Sequence, residues 1–267
     1  MVFRKPVKIL SDFQEKVASL EIVLTRFLQD PKSRKTLFWS LFGVGVLLRL
    51  GYYFLNSGYY HRDEAAYLQQ MQIAREWGIF SCSNVNYLIF LGSLFPPWLA
   101  EYAVRCYNLL CSCLTMILMY FLCKNISGRS VWGVAGLFLI ALNPAEIRAS
   151  CTMLREPFFV LVYTVVLLTC VCYLQGKMKW SAPVICGIFS VWGMWARYEG
   201  LELYAFFPLA LLFGIFGMNQ RSWRNILGSA VVYFALVVTF SYILISFIPS
   251  LFFRIIAKVC YVYKFLL

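Results

Sequence analysis

The residues best equipped for chemistry form one polar island, His61-Arg62-Asp63-Glu64-Ala65-Ala66-Tyr67, in a chain that is otherwise strongly apolar. Two adjacent carboxylates at the mouth of an apolar run that ends near Phe54 are costly to place without a purpose. On a helix Asp63 and Tyr67 are i and i+4 and share a face. Glu64 is turned ~100° away, where it braces the site or meets a neighbouring loop. A carboxylate in a partly dry cleft can take a proton from a hydroxyl. Arginines nearby can grip a phosphate through forked hydrogen bonds and stabilise it as it leaves. Such arginines, Arg155 and Arg197, sit tight against the ends of apolar runs, in Leu154-Arg155-Glu156-Pro157 and Ala196-Arg197-Tyr198-Glu199-Gly200. Arg62 and Arg148 complete the set. The chemistry suggested is a carboxylate facing a lipid-borne phosphate.

The elements that must position these groups are apolar. Of 267 residues, 61% are hydrophobic and 18% aromatic, with a mean hydropathy of +0.73. That composition excludes an ordinary soluble domain. Several runs reach the ~20 residues needed to cross ~30 Å of hydrocarbon, so the expected fold is an all-α, multi-pass membrane protein. Seven spans are expected, at 36–54, 100–123, 130–143, 157–174, 181–197, 200–218 and 226–248. The third is short and ends at Asn143-Pro144, which predicts a partial span breaking into the next loop. Asp63 to Trp77 reads as a helix lying along the membrane surface within a first outer loop, 55–99. A second outer loop covers 144–156.

Outside this 36–250 module lie an N-terminal segment, 1–35, and an apolar, basic tail, 251–267. Residues 1–35 show no signal-peptide core. Ser11 to Leu28 carries apolar residues at helical spacing and reads as an amphipathic helix on the cytoplasmic face. Asn125-Ile126-Ser127 matches a glycosylation sequon but falls on the inner side, where it goes unused.

The net charge of +12 would suggest nucleic acid in a soluble chain, but here it sorts by membrane side. Each expected inner loop carries a basic pair: Lys124 with Arg129, Lys177 with Lys179, Arg221 with Arg224. After residue 35 the acids, including Asp63, Glu64, Glu76, Glu101, Glu146, Glu156, Glu199 and Glu202, fall on the outer side. The N-terminus is therefore expected inside and the active face outside. Most cysteines lie in apolar runs as small buried hydrophobes. No CxxC pair occurs, and the lone His61 reads as a plain interface histidine that cannot complete a zinc site. Only Cys82 and Cys151 share the outer side, where a bridge between them could form.

Taken in order, the motifs resemble a family. Asp63-Glu64-Ala65-Ala66-Tyr67 with its helix to Trp77-Gly78 looks like the first-loop signature of class C glycosyltransferases. The nearest branch is the protein mannosyltransferase and aminoarabinose transferase group. Val104-Arg105-Cys106-Tyr107-Asn108-Leu109-Leu110 resembles the start of the family's second span. Leu142-Asn143-Pro144 through Arg155-Glu156-Pro157-Phe158-Phe159 resembles its second outer loop. Trp195-Ala196-Arg197-Tyr198-Glu199-Gly200-Leu201 is similar to its Thr-Arg-Pro-Glu-Gly-Leu element. Asn86-Tyr87 stands where a Pro-Pro pair usually opens the second half of the first loop, and Pro96-Pro97 comes later.

The resemblance spans residues 36 to 218 and implies an inverting transferase in the cell envelope, using a polyprenyl-phosphate sugar. Asp63 would be the catalytic base, with Glu64 and Glu156 as the accompanying acids. Glu156, with Asp63, would bind a divalent metal where one is used. Arg62, Arg148, Arg155 and Arg197 would hold the donor phosphate, supported by Tyr67 and Glu199. The acceptor is a glycan, lipid or protein. Family enzymes continue with further spans and often a C-terminal outer domain. An alternative is therefore a catalytically inactive module that binds a lipid-linked sugar or a partner subunit. A transporter would require charges at mid-membrane and internal repeats; only Arg49 lies near a span, and no repeat is visible.

Overall fold

The computed structural model describes residues 30–55, 62–82, 86–215 and 223–248, with isolated positions between 19 and 28. Of the expected amphipathic helix from Ser11 to Leu28 only Ser19, Ile22, Val23, Arg26, Phe27 and Leu28 are described, all as helix; its remaining residues, His61 and the 251–267 tail fall outside the described residues. Those described form helices and no strands. In chain order they are α1 (Pro31–Leu55), α2 (Arg62–Trp77), α3 (Tyr87–Ser93), α4 (Pro97–Ser127) and α5 (Ser130–Leu142). There follow α6 (Pro144–Ser150), α7 (Glu156–Leu174), α8 (Ser181–Ala196), α9 (Leu203–Phe213) and α10 (Trp223–Phe247).

Four of these, α1, α4, α7 and α10, are long and apolar enough to cross a membrane, and α5 with α6 makes a fifth if counted as one broken span. The chain is a multi-pass, all-α membrane protein. The expected 181–197 span corresponds to the 16-residue α8. That at 200–218 begins with a 3-10 turn, Tyr198–Glu202, and continues as the 11-residue α9. Gly200 makes this turn possible. A Cβ there would lie 2.2 Å from the backbone carbon of Gly193, so only glycine lets the turn fold back on α8.

The ends of these helices are written locally. Asp30 accepts from the Lys32 and Ser33 amides at 3.3 and 2.9 Å, an N-cap that starts α1. Pro97 opens α4, which closes on Gly128 in the left-handed region at φ 71°. Asn86 caps α3 by accepting from Leu88 and Ile89. Helix α4 is the hub, touching α1, α3, α5, α6 and α7.

The break between α5 and α6, bent by 61°, frees two carbonyls that find partners elsewhere. Pro144 has no amide to give to Ile140 O. The Ala145 amide, which would serve Ala141 O, goes instead to Asn143 Oδ1 at 3.0 Å. Both orphaned carbonyls are taken by Arg49 of α1: Nη2 donates to Ile140 O and Nη1 to Ala141 O, each at 3.1 Å. Arg49 is 0% exposed and also donates to Gly45 O at 3.0 Å and Ser112 Oγ at 2.8 Å. Gly45 admits this approach, since a Cβ there would stand 2.7 Å from the sulfur of Met116. The one charge inside the apolar part of α1 thus stitches a broken helix.

Cys82 and Cys151 are both buried free thiols. Cys82 donates to Gln70 O at 3.2 Å and Cys151 to Arg49 O at 3.0 Å. The bridge considered from the sequence is not formed: each thiol is committed to the backbone of a different helix.

Candidate functional site: an acid and arginine cluster at one end of the bundle

At the end of the bundle carrying α2, the segment 151–155 links α6 to α7 without regular structure. Its backbone groups need partners, and buried side chains supply them. Glu64 Oε1 accepts from the Met153 amide at 2.7 Å. Arg105 Nη1 donates to Cys151 O at 3.0 Å. Asn108 Nδ2 donates to Thr152 O at 2.7 Å and to Leu154 O at 2.8 Å. The Tyr87 hydroxyl donates to Asn108 Oδ1 at 3.1 Å and Leu154 O at 3.2 Å. Arg105 also contacts Glu101 at 3.0 Å and Glu64 at 3.5 Å. The segment is clamped by α2, α3 and α4 together.

The clamp fixes the start of α7. Glu156 Oε1 meets Arg197 Nη1 at 2.6 Å, and Arg197 Nε meets Glu199 Oε2 at 3.2 Å. The Arg197 guanidinium lies 5.8 Å from the ring centre of Phe159. Glu156 Oε2 is buried with no hydrogen-bond partner among the described residues. Tyr67, 7% exposed, joins this group to α2. Burial raises its phenol above the ordinary value; Arg155 opposes the rise by charge and by a hydrogen bond, and Asp63 and Glu156 add to it. Asp63, Arg155 and Glu156 therefore each act on Tyr67, Arg155 through a hydrogen bond as well as charge. Asp63 itself is exposed.

The sequence candidates divide accordingly. Asp63, Tyr67, Arg155, Glu156, Arg197 and Glu199 come together. Glu64 does not share that face: it is 0% exposed and holds the loop. Arg148 is exposed in the last turn of α6, and among the described residues no hydrogen bond or ion pair joins its side chain to the cluster. The side chain of Arg62 lies outside the description. Arg75 is structural, donating to Gly92 O at 2.9 Å and Phe95 O at 3.0 Å, which ties α2 to the end of α3.

The residues missed as site builders are Tyr87, Glu101, Arg105 and Asn108. A signal was present: Glu101, Arg105, Asn108 and Ser112 recur at three- and four-residue spacing in an apolar helix, a polar stripe that must face protein. Among the described residues no three His, Cys, Asp or Glu side chains converge as a metal site. Among those residues Asp63 and Glu156 have no third such ligand beside them, and Glu156 is engaged by Arg197.

No protein-family model matches the chain, and no curated protein matches its sequence.

Proposed function

We propose that the chain is a membrane glycosyltransferase that moves a sugar from a polyprenyl-phosphate donor to an acceptor hydroxyl. The observation that carries the reading is Tyr67, hydrogen-bonded to Arg155 and acted on by the charges of the exposed Asp63 and of Glu156, which pairs with Arg197. The acceptor hydroxyl gives its proton to Asp63 as its oxygen bonds to the anomeric carbon. The bond from that carbon to the phosphate oxygen breaks with inversion. The leaving lipid phosphate is stabilised by Arg155 and Arg197. Glu156 Oε2 offers an acceptor to a sugar hydroxyl. The reading puts seven spans in the membrane, with α8 and α9 as short ones, and the cluster on the non-cytoplasmic face. The basic pairs at the opposite ends of the helices support that orientation.

The test is Asp63→Asn. Asn keeps the shape but cannot take the proton, and losing a general base costs ~10²- to 10⁴-fold in rate, or roughly 3–5 kcal/mol of barrier. Transfer from radiolabelled polyprenyl-phosphate sugar should collapse while donor binding and folding persist. Wild-type transfer by Asp63→Asn would sink the catalytic reading.

A further inference from the structure

At the end of the bundle opposite the acidic cluster, a groove of about 390 Å³ runs between α1 and α4. It lies ~28 Å along α4 from Arg105, counted at ~1.5 Å per residue. Its rim carries three cations, Arg34, Lys35 and Lys124, over an aromatic floor of Phe38, Tyr120 and Phe121. Phe38 and Tyr120 meet edge to face at 4.9 Å, and Lys124 Nζ stands 5.9 Å from the Tyr120 ring centre. Among the described residues none of the three cations is ion-paired. The nearest acid in sequence, Asp30, is turned onto the amides of Lys32 and Ser33. Among the described residues the groove therefore joins positive charge with no acidic partner to an apolar surface, with Phe121 exposed on a helix long enough to span the membrane.

We infer that this groove binds an anionic phospholipid, its phosphate on Arg34, Lys35 and Lys124 and its first acyl carbons against Phe38 and Phe121. Charge complementarity selects the headgroup, because a zwitterionic lipid adds its own cation to a rim that holds three. The aromatic floor selects an amphiphile over a free anion, since inorganic phosphate leaves Phe38 and Phe121 unused. Basic clefts between spans bind anionic headgroups in this way, each cation near the surface contributing about five-fold in affinity. The volume falls within the range of ordinary ligand pockets.

The experiment is native mass spectrometry of the full chain in detergent, offered phosphatidylglycerol or phosphatidylcholine of identical chains. Wild type should retain phosphatidylglycerol preferentially. Lys124→Gln should weaken retention about five-fold, and Arg34→Gln/Lys35→Gln/Lys124→Gln about 100-fold. The control Lys177→Gln/Lys179→Gln/Arg224→Gln, with the same charge loss, should leave it unchanged. Lys124→Gln is mild enough to keep the fold, which circular dichroism checks. No preference in wild type, or equal weakening in the control, would overturn the proposal. Displacement by excess inorganic phosphate would assign the cleft to a free anion and overturn it as well.

Discussion

Arg49 offers the sharpest test of how the bundle holds its site. Replacing it by lysine keeps the charge and most of the apolar stem, so the cost of burying a cation is nearly constant. What changes is the fork. Three guanidinium nitrogens make four hydrogen bonds, to Gly45 O, Ser112 Oγ, Ile140 O and Ala141 O. A shorter side chain with one nitrogen cannot span all four acceptors, and at least two bonds are lost. Inside membrane proteins such bonds contribute about 0.6–2 kcal/mol each, so Arg49→Lys should cost roughly 1–4 kcal/mol. At ~2–4 °C per kcal/mol for a chain of this size, a central loss of ~2 kcal/mol lowers the melting temperature by about 4–8 °C. The loss should also be local: amides at the α5–α6 break and at Met153, downstream of α6, should exchange faster. Ser112→Ala in the Arg49→Lys background should add little, since the Nε bond is already gone. Unchanged melting together with unchanged exchange at the break would show that the guanidinium geometry is irrelevant there, and the account of the orphaned carbonyls would be wrong.

Other consequences are simpler to state. Arg197→Lys should weaken donor-lipid binding about ten-fold by losing the fork that holds Glu156 and Glu199, whereas Arg224→Lys should not; equal effects in a lipid-binding titration would reduce both to headgroup contacts. Glu64→Ala should cost about 2–3 kcal/mol in thermal unfolding, because the buried Met153 amide loses its acceptor while Arg105 keeps Glu101. Glu64→Gln retains an acceptor and should cost less. The Asp30 carboxylate is held below its ordinary value by hydrogen bonds from the Ser33 side chain, then from the Ser33 and Lys32 amides. Its contribution is therefore present above the ordinary carboxylate range and lost as pH falls through the depressed value. Wild type should melt above Asp30→Ala at neutral pH and converge with it in acid; a difference that persists in acid would contradict the cap.

Much of the architecture is legible in the residues. Apolar runs mark the helices because the bilayer demands them, and Asn143-Pro144 announces the break because proline removes a donor. Asp63 and Tyr67 share a face by spacing alone. The clamp on 151–155 is not legible in the same way. Glu64 and Met153 stand 89 residues apart in the chain, and nothing local to either names the other. The pairing of Arg49 with Ile140 and Ala141 is equally remote, although a lone arginine in an apolar helix signals that some partner exists. Cys82 misled for a related reason. Its side of the membrane is read from charge, but charge does not report its burial or its bond to the Gln70 carbonyl of α2.

The adjacent acids Asp63 and Glu64 show how the polar groups divide. Four backbone groups of 151–155 are served by side chains, and each of those side chains must stay buried and polar for the segment to hold its course. Glu64, Arg105, Asn108 and Tyr87 are thereby committed to structure. Asp63 and Arg155 have no part in that clamp, yet both reach Tyr67. Glu156 gives one oxygen to Arg197 and leaves the other without a partner among the described residues. Arg155 and the second oxygen of Glu156, which the clamp does not use, stand beside groups of opposite charge at the edge of an apolar bundle, and that is the ground on which the proposed reading places a ligand there. Under the proposed reading the chemistry falls to Asp63, Arg155 and the second oxygen of Glu156, while Glu64, one residue from Asp63, serves the fold.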